Sequence, residues 1–169
     1  IVLRGRLDSN CHNLHQSLLM LTPGTDANWS NAVSVGAPGK TNYLYYEVRQ
    51  GGAEKTNSSN TIDLKNTTAS VTNGWHTIAI VQKTDSLEYY IDGVLAKSLT
   101  YKLNDGLTFG SLFADATEFT AHIGSFSVKD APTYNMKAHL DYYQFYGAAL
   151  TADQVASLSG NAVAPTDAE

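Results

Sequence analysis

A single cysteine, Cys11, has no partner for an internal disulfide, so cysteine usage does not fix the compartment. No stretch approaches the ~20 consecutive apolar residues that a membrane-spanning helix needs. Basic residues never cluster, and 11 Lys and Arg stand against 16 Asp and Glu, a formal charge of −5. That balance excludes a nucleic-acid footprint and an anionic-membrane footprint. Charge of either sign is scarce, at 16% of residues, and the polarity comes instead from Asn, Thr, Ser and Gly. Such a composition suits many strands joined by turns better than a helical bundle.

What is present is an ordinary globular core. The chain has 169 residues, 43% of them hydrophobic, which is one domain with enough apolar surface to bury. It opens on "IVLRGRLDSN", a strand-like run without methionine or signal peptide, and ends on "GNAVAPTDAE", which reads as linker. The expected organisation is a module over residues 1–160, with 161–169 leading to a neighbouring domain.

Turn punctuation recurs along the chain ("TPGTD", "APGK", "QGG", "TNG", "LNDG"), and the segments between alternate as strands do. "LEYYIDGVLAKSL" places Asp92-Gly93 between two strand-like runs, the preferred pair for a two-residue type I′ turn. In "GWHTIAIVQ", Trp75, Thr77, Ala79 and Val81 oppose His76, Ile78, Ile80 and Gln82. "AHIGSFSV" and "KAHLDYYQFYG" read as further strands, and the whole as an antiparallel sandwich or barrel. One helix is expected in "LTADQVASLSG". Thr151 and Gln154 form a capping box, Leu150 and Val155 a hydrophobic staple, and Gly160 an αL C-cap. Val155 and Leu158 face inward, so this helix should lie on the sandwich as a lid.

"YYEVRQGG" poses the functional question. As a strand it turns Leu44, Tyr46 and Val48 to one face, which a core explains. The other face carries Tyr43, Tyr45, Glu47 and Arg49. Glycoside hydrolysis needs two carboxylates about 5–10 Å apart, and Glu47 has no acidic residue at 45 or 49, while Glu54 falls in an expected loop. No G-x-S-x-G elbow occurs. "CHNLHQ" offers Cys11, His12 and His15 as ligands, but on a strand the two histidines face opposite ways and no second cluster completes a zinc tetrahedron. His15 is kept as a pocket residue. Asp and Asn oxygens in loops suffice for a structural calcium, although no EF-hand spacing is present; no cofactor is required. Three Asn-x-Ser/Thr sequons, at Asn28, Asn57 and Asn66, match what chance gives in so polar a chain.

Aromatic residues carry the remaining signal, with ten tyrosines and two tryptophans. Trp75, Tyr90, Phe109, Tyr143 and Phe145 sit in apolar alternation and read as core. Trp29, Tyr45 and Tyr134 lie in polar or turn surroundings, where an aromatic face can take the C–H patch of a sugar or simply form a solvated rim.

Over residues 74–158, the G-x-W strand, the Asp-Gly hairpin, "AHIG" and "LDYYQFYGAALTADQV" resemble the laminin-G-like, concanavalin-type jelly roll. The E-x-R pair of "YYEVRQGG", followed by glycine and then the G-x-W strand, resembles the family-40 carbohydrate-binding modules, which accompany bacterial sialidases and bind terminal sialic acid. The resemblance implies an all-β jelly-roll sandwich with one short helix. It also implies that Arg49 grips the sugar carboxylate and Glu47 accepts from its amide or hydroxyl hydrogens, with Trp29 and Tyr134 as aromatic contacts. The family commonly shows a second arginine where Val128 stands here, with Lys129 beside it. Lysine supplies charge without the bidentate fork, so Lys129 substitutes, Arg49 works alone, or the ligand differs. The implied partners are sialylated glycans or mucin-type glycoproteins, bound by a monomeric module of a secreted or cell-surface glycosidase. Two other readings share the fold: a lectin for neutral glycans, and a laminin-G-like module that recognises protein.

Overall fold

A computed structural model describes residues 1–7, 15–24, 32–38, 43–50, 53–54, 61–63, 74–100, 114, 116–128, 131–133, 136 and 138–160. In chain order the strands are β1 (Val2–Leu7), β2 (His15–Pro23), β3 (Ala32–Pro38), β4 (Tyr43–Gln50), β5 (Ala53–Glu54), β6 (Thr61–Asp63) and β7 (His76–Gln82). They continue as β8 (Ser86–Ile91), β9 (Val94–Thr100), β10 (Phe119–Ile123), β11 (Phe126–Val128), β12 (Ala131–Thr133) and β13 (Ala138–Gln144), and end in α1 (Ala152–Gly160). The fold is a mostly antiparallel β-sandwich of the concanavalin type with one short helix.

Among the described residues, one sheet runs β13-β1-β7-β8-β9 and the other β10-β2-β3-β4-β5, with β6 also on β4 and β11-β12 as a separate ribbon. The core lies between the two large sheets. Leu3, Ile78, Ile80 and Tyr89 meet Leu19, Val35, Leu44 and Tyr46 there, all essentially without solvent contact. Burying each such side chain stabilises the fold by about 1.5–3 kcal/mol. The alternation expected for β7 holds: Ile78 and Ile80 face this core, while Ala79 and Val81 join a second apolar cluster under α1.

That second cluster confirms the helix as a lid. Val155 is buried against Val2, Ala79, Val81 and Tyr90, with Leu150 and Leu158 packed beside it. The capping box is reciprocal: the Thr151 amide donates to Gln154 Oε1 at 2.8 Å, and the Gln154 amide to Thr151 Oγ1 at 3.3 Å. Gly160 differs from expectation. It is the last helical residue and not a left-handed cap, because the helix continues through it. The Asp92-Gly93 turn has φ of 51° and 82°, the two positive values that a type I′ hairpin demands.

Three further expectations change. The "AHIGSFSV" segment is two strands, broken at Gly124 with φ 72°. Glu54 belongs to β5 and pairs with Arg49 in register, where a loop was expected. Phe145, expected in the core, follows the end of β13 and is exposed, because the sheet no longer covers it.

Candidate functional site

β4 sits inside its sheet between β3 on one side and β5 and β6 on the other, so its residues are held along both edges. Leu44, Tyr46 and Val48 enter the core, as their alternation requires. The opposite parity carries Tyr45, Glu47 and Arg49 on the face turned away from the core. There the Arg49 Nε donates to Glu47 Oε1 at 2.7 Å. The side chains are 24% and 11% exposed respectively, so the pair is shielded without being sealed. This charge-assisted bond fixes the plane of the guanidinium, and it uses one of the five N–H donors of the group. Tyr45 is buried beside it and is no part of a solvated rim.

Register extends this face across the sheet. Glu47 stands opposite Ser34, Ser34 opposite Met20, and Met20 opposite His122. In the next row Arg49 stands opposite Ala32, and Thr22 opposite Thr120. Tyr45 is aligned with Gly36, and Gly36 with Ser17. A bulge in β2 makes the third row possible. Ser17 pairs with Gly36 and Leu19 with Val35, which leaves Leu18 as the extra residue; Leu18 and Leu19 then both enter the core. The floor so formed is small and polar around Met20, with Ser17, Thr22 and Ser34 buried. Among the described residues, Ser17 Oγ, Thr22 Oγ1 and His122 Nε2 are buried without a hydrogen-bond partner.

Of the residues singled out in the sequence, the structure brings together Glu47, Arg49 and Tyr45. His15 is the first residue of β2, opposite Pro38. Trp29, Lys129 and Tyr134 lie outside the described residues, as do Cys11, His12, Phe109 and residues 161–169. Ser17, Thr22, Ser34 and His122 were not read from the sequence; the polar interruptions of "SLLMLT" at 17 and 22 are the local signal that marks two of them. The partner of Glu47 is a guanidinium, and register sets Glu54 of β5 opposite Arg49. Among the described residues, no three His, Cys, Asp or Glu side chains gather as a metal-binding group.

The outer face of the other sheet carries a different cluster. Trp75, expected in the core, is half-buried there with the Arg6 guanidinium 5.8 Å from its ring centroid and the His139 ring edge-on at 6.5 Å. The reason is parity: Arg6 and Arg4 alternate with Leu3, which takes the core side. Arg4 Nη1 donates to Thr77 Oγ1 at 3.2 Å, while its Nε lies 3.6 Å from Asp141 Oδ2, an ion pair that leaves this buried nitrogen without a hydrogen bond.

Residues 20–156 match the family model described as the concanavalin A-like lectin/glucanases superfamily. No curated protein sequence matches the chain. Among solved structures, the CBM40 domain of the Ruminococcus gnavus IT-sialidase bound to α2,3-sialyllactose is 17% identical, with 94% of this chain and 80% of that one covered at a TM-score of 0.62. The native heptameric SAP-like pentraxin of Limulus polyphemus is 14% identical over 97% of this chain and 70% of its own, at 0.65. The K499G mutant of the NanB sialidase of Streptococcus pneumoniae is 15% identical over 92% of this chain but 23% of its own, at 0.66. At such identities the likeness is one of fold. The family match covers most of the sequence, and this chain belongs to the concanavalin A-like lectin/glucanases superfamily.

Proposed function

We propose that this domain is a non-catalytic carbohydrate-binding module of the family-40 type, and that it binds terminal sialic acid on sialylated glycans. The observation that carries the reading is the Arg49–Glu47 bond of 2.7 Å on the face away from the core. A sugar carboxylate is planar, and a guanidinium held in one plane meets it with two parallel charge-assisted hydrogen bonds. Glu47 supplies that hold and stays within reach of an amide or hydroxyl hydrogen of the same sugar. The likeness in fold to a domain solved with sialyllactose supports the same ligand class. Such a site is shallow, so single-site affinity falls in the ~mM to µM range and useful avidity comes from repeated modules or ligands. In this reading the module serves a secreted or cell-surface glycosidase, brings it to mucin-type glycoproteins, and needs no cofactor.

Calorimetry with α2,3-sialyllactose tests the assignment. Wild-type protein should bind, and Arg49→Ala should show no heat while keeping the wild-type circular dichroism spectrum. Undiminished binding by Arg49→Ala, or glycan-array signals confined to sugars without sialic acid, would overturn it.

A further inference from the structure

Among the described residues, the two large sheets end at β13, β9, β5 and β10, and the first three of these edges are blunted. β5 and β6, which share one edge, are two and three residues long. β9 carries Lys97 and a bulge at Ala96, and β13 carries Asp141 as the extra residue of its own bulge. Short strands, bulges and charged side chains all discourage a further strand from pairing. β10 has none of these protections: Phe119–Ile123 contains no lysine or proline and runs against β2 without a bulge. Phe119 and Ile123 are 64% and 52% exposed, and Ala121 between them is exposed as well. The three share the parity of Leu19 and Leu21, the core side of the sheet, but lie outside the core itself. Large apolar side chains exposed along one strand mark an interaction surface.

The backbone of this edge is turned outward at its centre. The Gly24 amide donates to the Glu118 carbonyl, and the Gly124 amide to the Leu18 carbonyl, so residues of even number turn their backbone groups toward β2. By alternation Ala121 turns its N–H and C=O away from β2, where no strand among the described residues pairs with it. The strand is also complementary to itself. Laid antiparallel on a second copy about Ala121, Phe119 falls opposite the second copy's Ile123, and Thr120 opposite its His122. Large apolar side chains then meet at both ends of a small centre, where the two Ala121 residues exchange a pair of hydrogen bonds. Glu118 lies diagonal to the second copy's His122, a charge-complementary pair within side-chain reach, and no like charges stand opposite each other.

We propose that β10 is a self-association edge: two copies pair antiparallel through Phe119–Ile123 about a two-fold axis at Ala121, and their sheets join into one. Such an axis closes after one pairing, so the product is a dimer and not a fibre. Five residues of edge make a small interface, which belongs to the weak and reversible class. The axis stands perpendicular to the sheet, so the Glu47–Arg49 faces of both copies point the same way. Three strand-to-strand steps separate β4 from β10 in each copy and one joins the copies. Those seven steps set the two β4 strands about 33 Å apart at the usual spacing. Resting on the sialic-acid reading, the dimer turns two sites toward one glycan-coated surface, which supplies the avidity that a weak single site needs.

Sedimentation equilibrium over a concentration series tests the pairing. The weight-average mass of wild-type protein should climb from one copy toward two as concentration rises. Ile123→Lys sets a charge against Phe119 of the second copy, and Ala121→Pro removes the N–H that the centre exchanges. Both variants should hold the mass of one copy across the series and keep the wild-type circular dichroism spectrum, since an edge tolerates proline where the N–H faces outward. A wild-type mass that stays at one copy, a mass that passes two, or dimers that persist in Ile123→Lys would each overturn the proposal. Ile123→Lys decides the matter if Ala121→Pro fails to fold. On a surface coated with sialyllactose, Ile123→Lys should dissociate faster than wild type, while soluble sialyllactose binds both alike. Equal dissociation from that surface by a wild type that does dimerise overturns the shared-face arrangement. Loss of all sialoside binding overturns the sialic-acid reading instead, and the mass measurement still decides the pairing.

Discussion

The Tyr143 hydroxyl on β13 donates to the Leu18 carbonyl on β2 at 2.5 Å, so the sheet under the helix holds the bulged strand of the other sheet directly. The Gly124 amide donates to the same carbonyl at 3.1 Å. Leu18 is the extra residue of the bulge, and the bulge turns Ser17 onto the face of Glu47 and Arg49. Burial raises the Tyr143 phenol above its ordinary value, so it remains a donor at neutral and mildly alkaline pH. Tyr143→Phe should lower stability by about 0.5–1.5 kcal/mol, the net worth of one hydrogen bond, read as an earlier urea midpoint at unchanged slope. A midpoint equal to wild type would show that the bond does not brace the bulge.

Glu47 and Arg49 should fail differently under conservative change. Glu47→Gln keeps an acceptor for Arg49 Nε but removes the charge, and should weaken sialoside binding by about tenfold, or 1.4 kcal/mol. Arg49→Lys keeps the charge but loses the planar fork, and should weaken it more. Calorimetry on the two variants gives the order directly. If Arg49→Lys binds as well as wild type, point charge rather than bidentate geometry recognises the ligand.

The hairpin between β8 and β9 sets up a third prediction. Asp92 Oδ1 accepts from the Thr77 amide at 2.9 Å, and Oδ2 lies 2.8 Å from His76 Nδ1. Gly93 has φ 82°, and a Cβ built there would stand 3.0 Å from the Ala156 Cα and 3.2 Å from the Ser159 Cβ of α1. Gly93→Ala therefore meets both backbone strain and the helix, and should cost about 1–3 kcal/mol. Asp92→Asn tolerates the left-handed conformation and still accepts from Thr77, so its cost should be the smaller. Thermal melts of the two variants check the ranking, and equal melting temperatures would contradict it.

What the sequence made legible and what it hid divide along sequence separation. Asp92-Gly93, the Thr151–Gln154 capping box and the Glu47–Arg49 pair are local patterns, with partners one to three residues apart, and elementary stereochemistry predicts each. The floor beyond Glu47 is different. Met20 and His122 meet only because β10 closes the sheet beside β2, a pairing across about a hundred residues that periodicity does not encode. The apolar run Leu18–Leu21 also conceals the bulge: strict alternation would put Ser17 and Thr22 on opposite faces, and only the two adjacent leucines facing the core bring them onto one. Trp75 misled for the opposite reason. Its apolar neighbours alternate correctly, but its own parity turns it to Arg6 and away from the core.

Acid and alkaline stability should trace to one cluster on β8. Lys83 Nζ donates to Glu88 Oε1 at 2.5 Å and the Tyr90 hydroxyl to Oε2 at 2.7 Å. Burial works to raise the Glu88 carboxyl, but the hydrogen bonds from Lys83 and Tyr90 and the charge of Lys83 outweigh it and hold the group below 4.5. Tyr90 is pushed up to about 12, first by burial and then by the hydrogen bond and charge of Glu88. The depressed carboxylate contributes stability that is fully present above 4.5 and is lost as pH falls through its lowered value. The raised phenol contributes stability that is present below 10 and is lost as pH rises through about 12. Lys83 is 43% exposed, so solvent screening keeps the acid contribution below about 1 kcal/mol. Urea unfolding across the pH range should then show Glu88→Gln with a flatter acid limb than wild type, and Tyr90→Phe with a flatter alkaline limb. An acid limb for Glu88→Gln that runs parallel to wild type would place the acid sensitivity elsewhere in the fold.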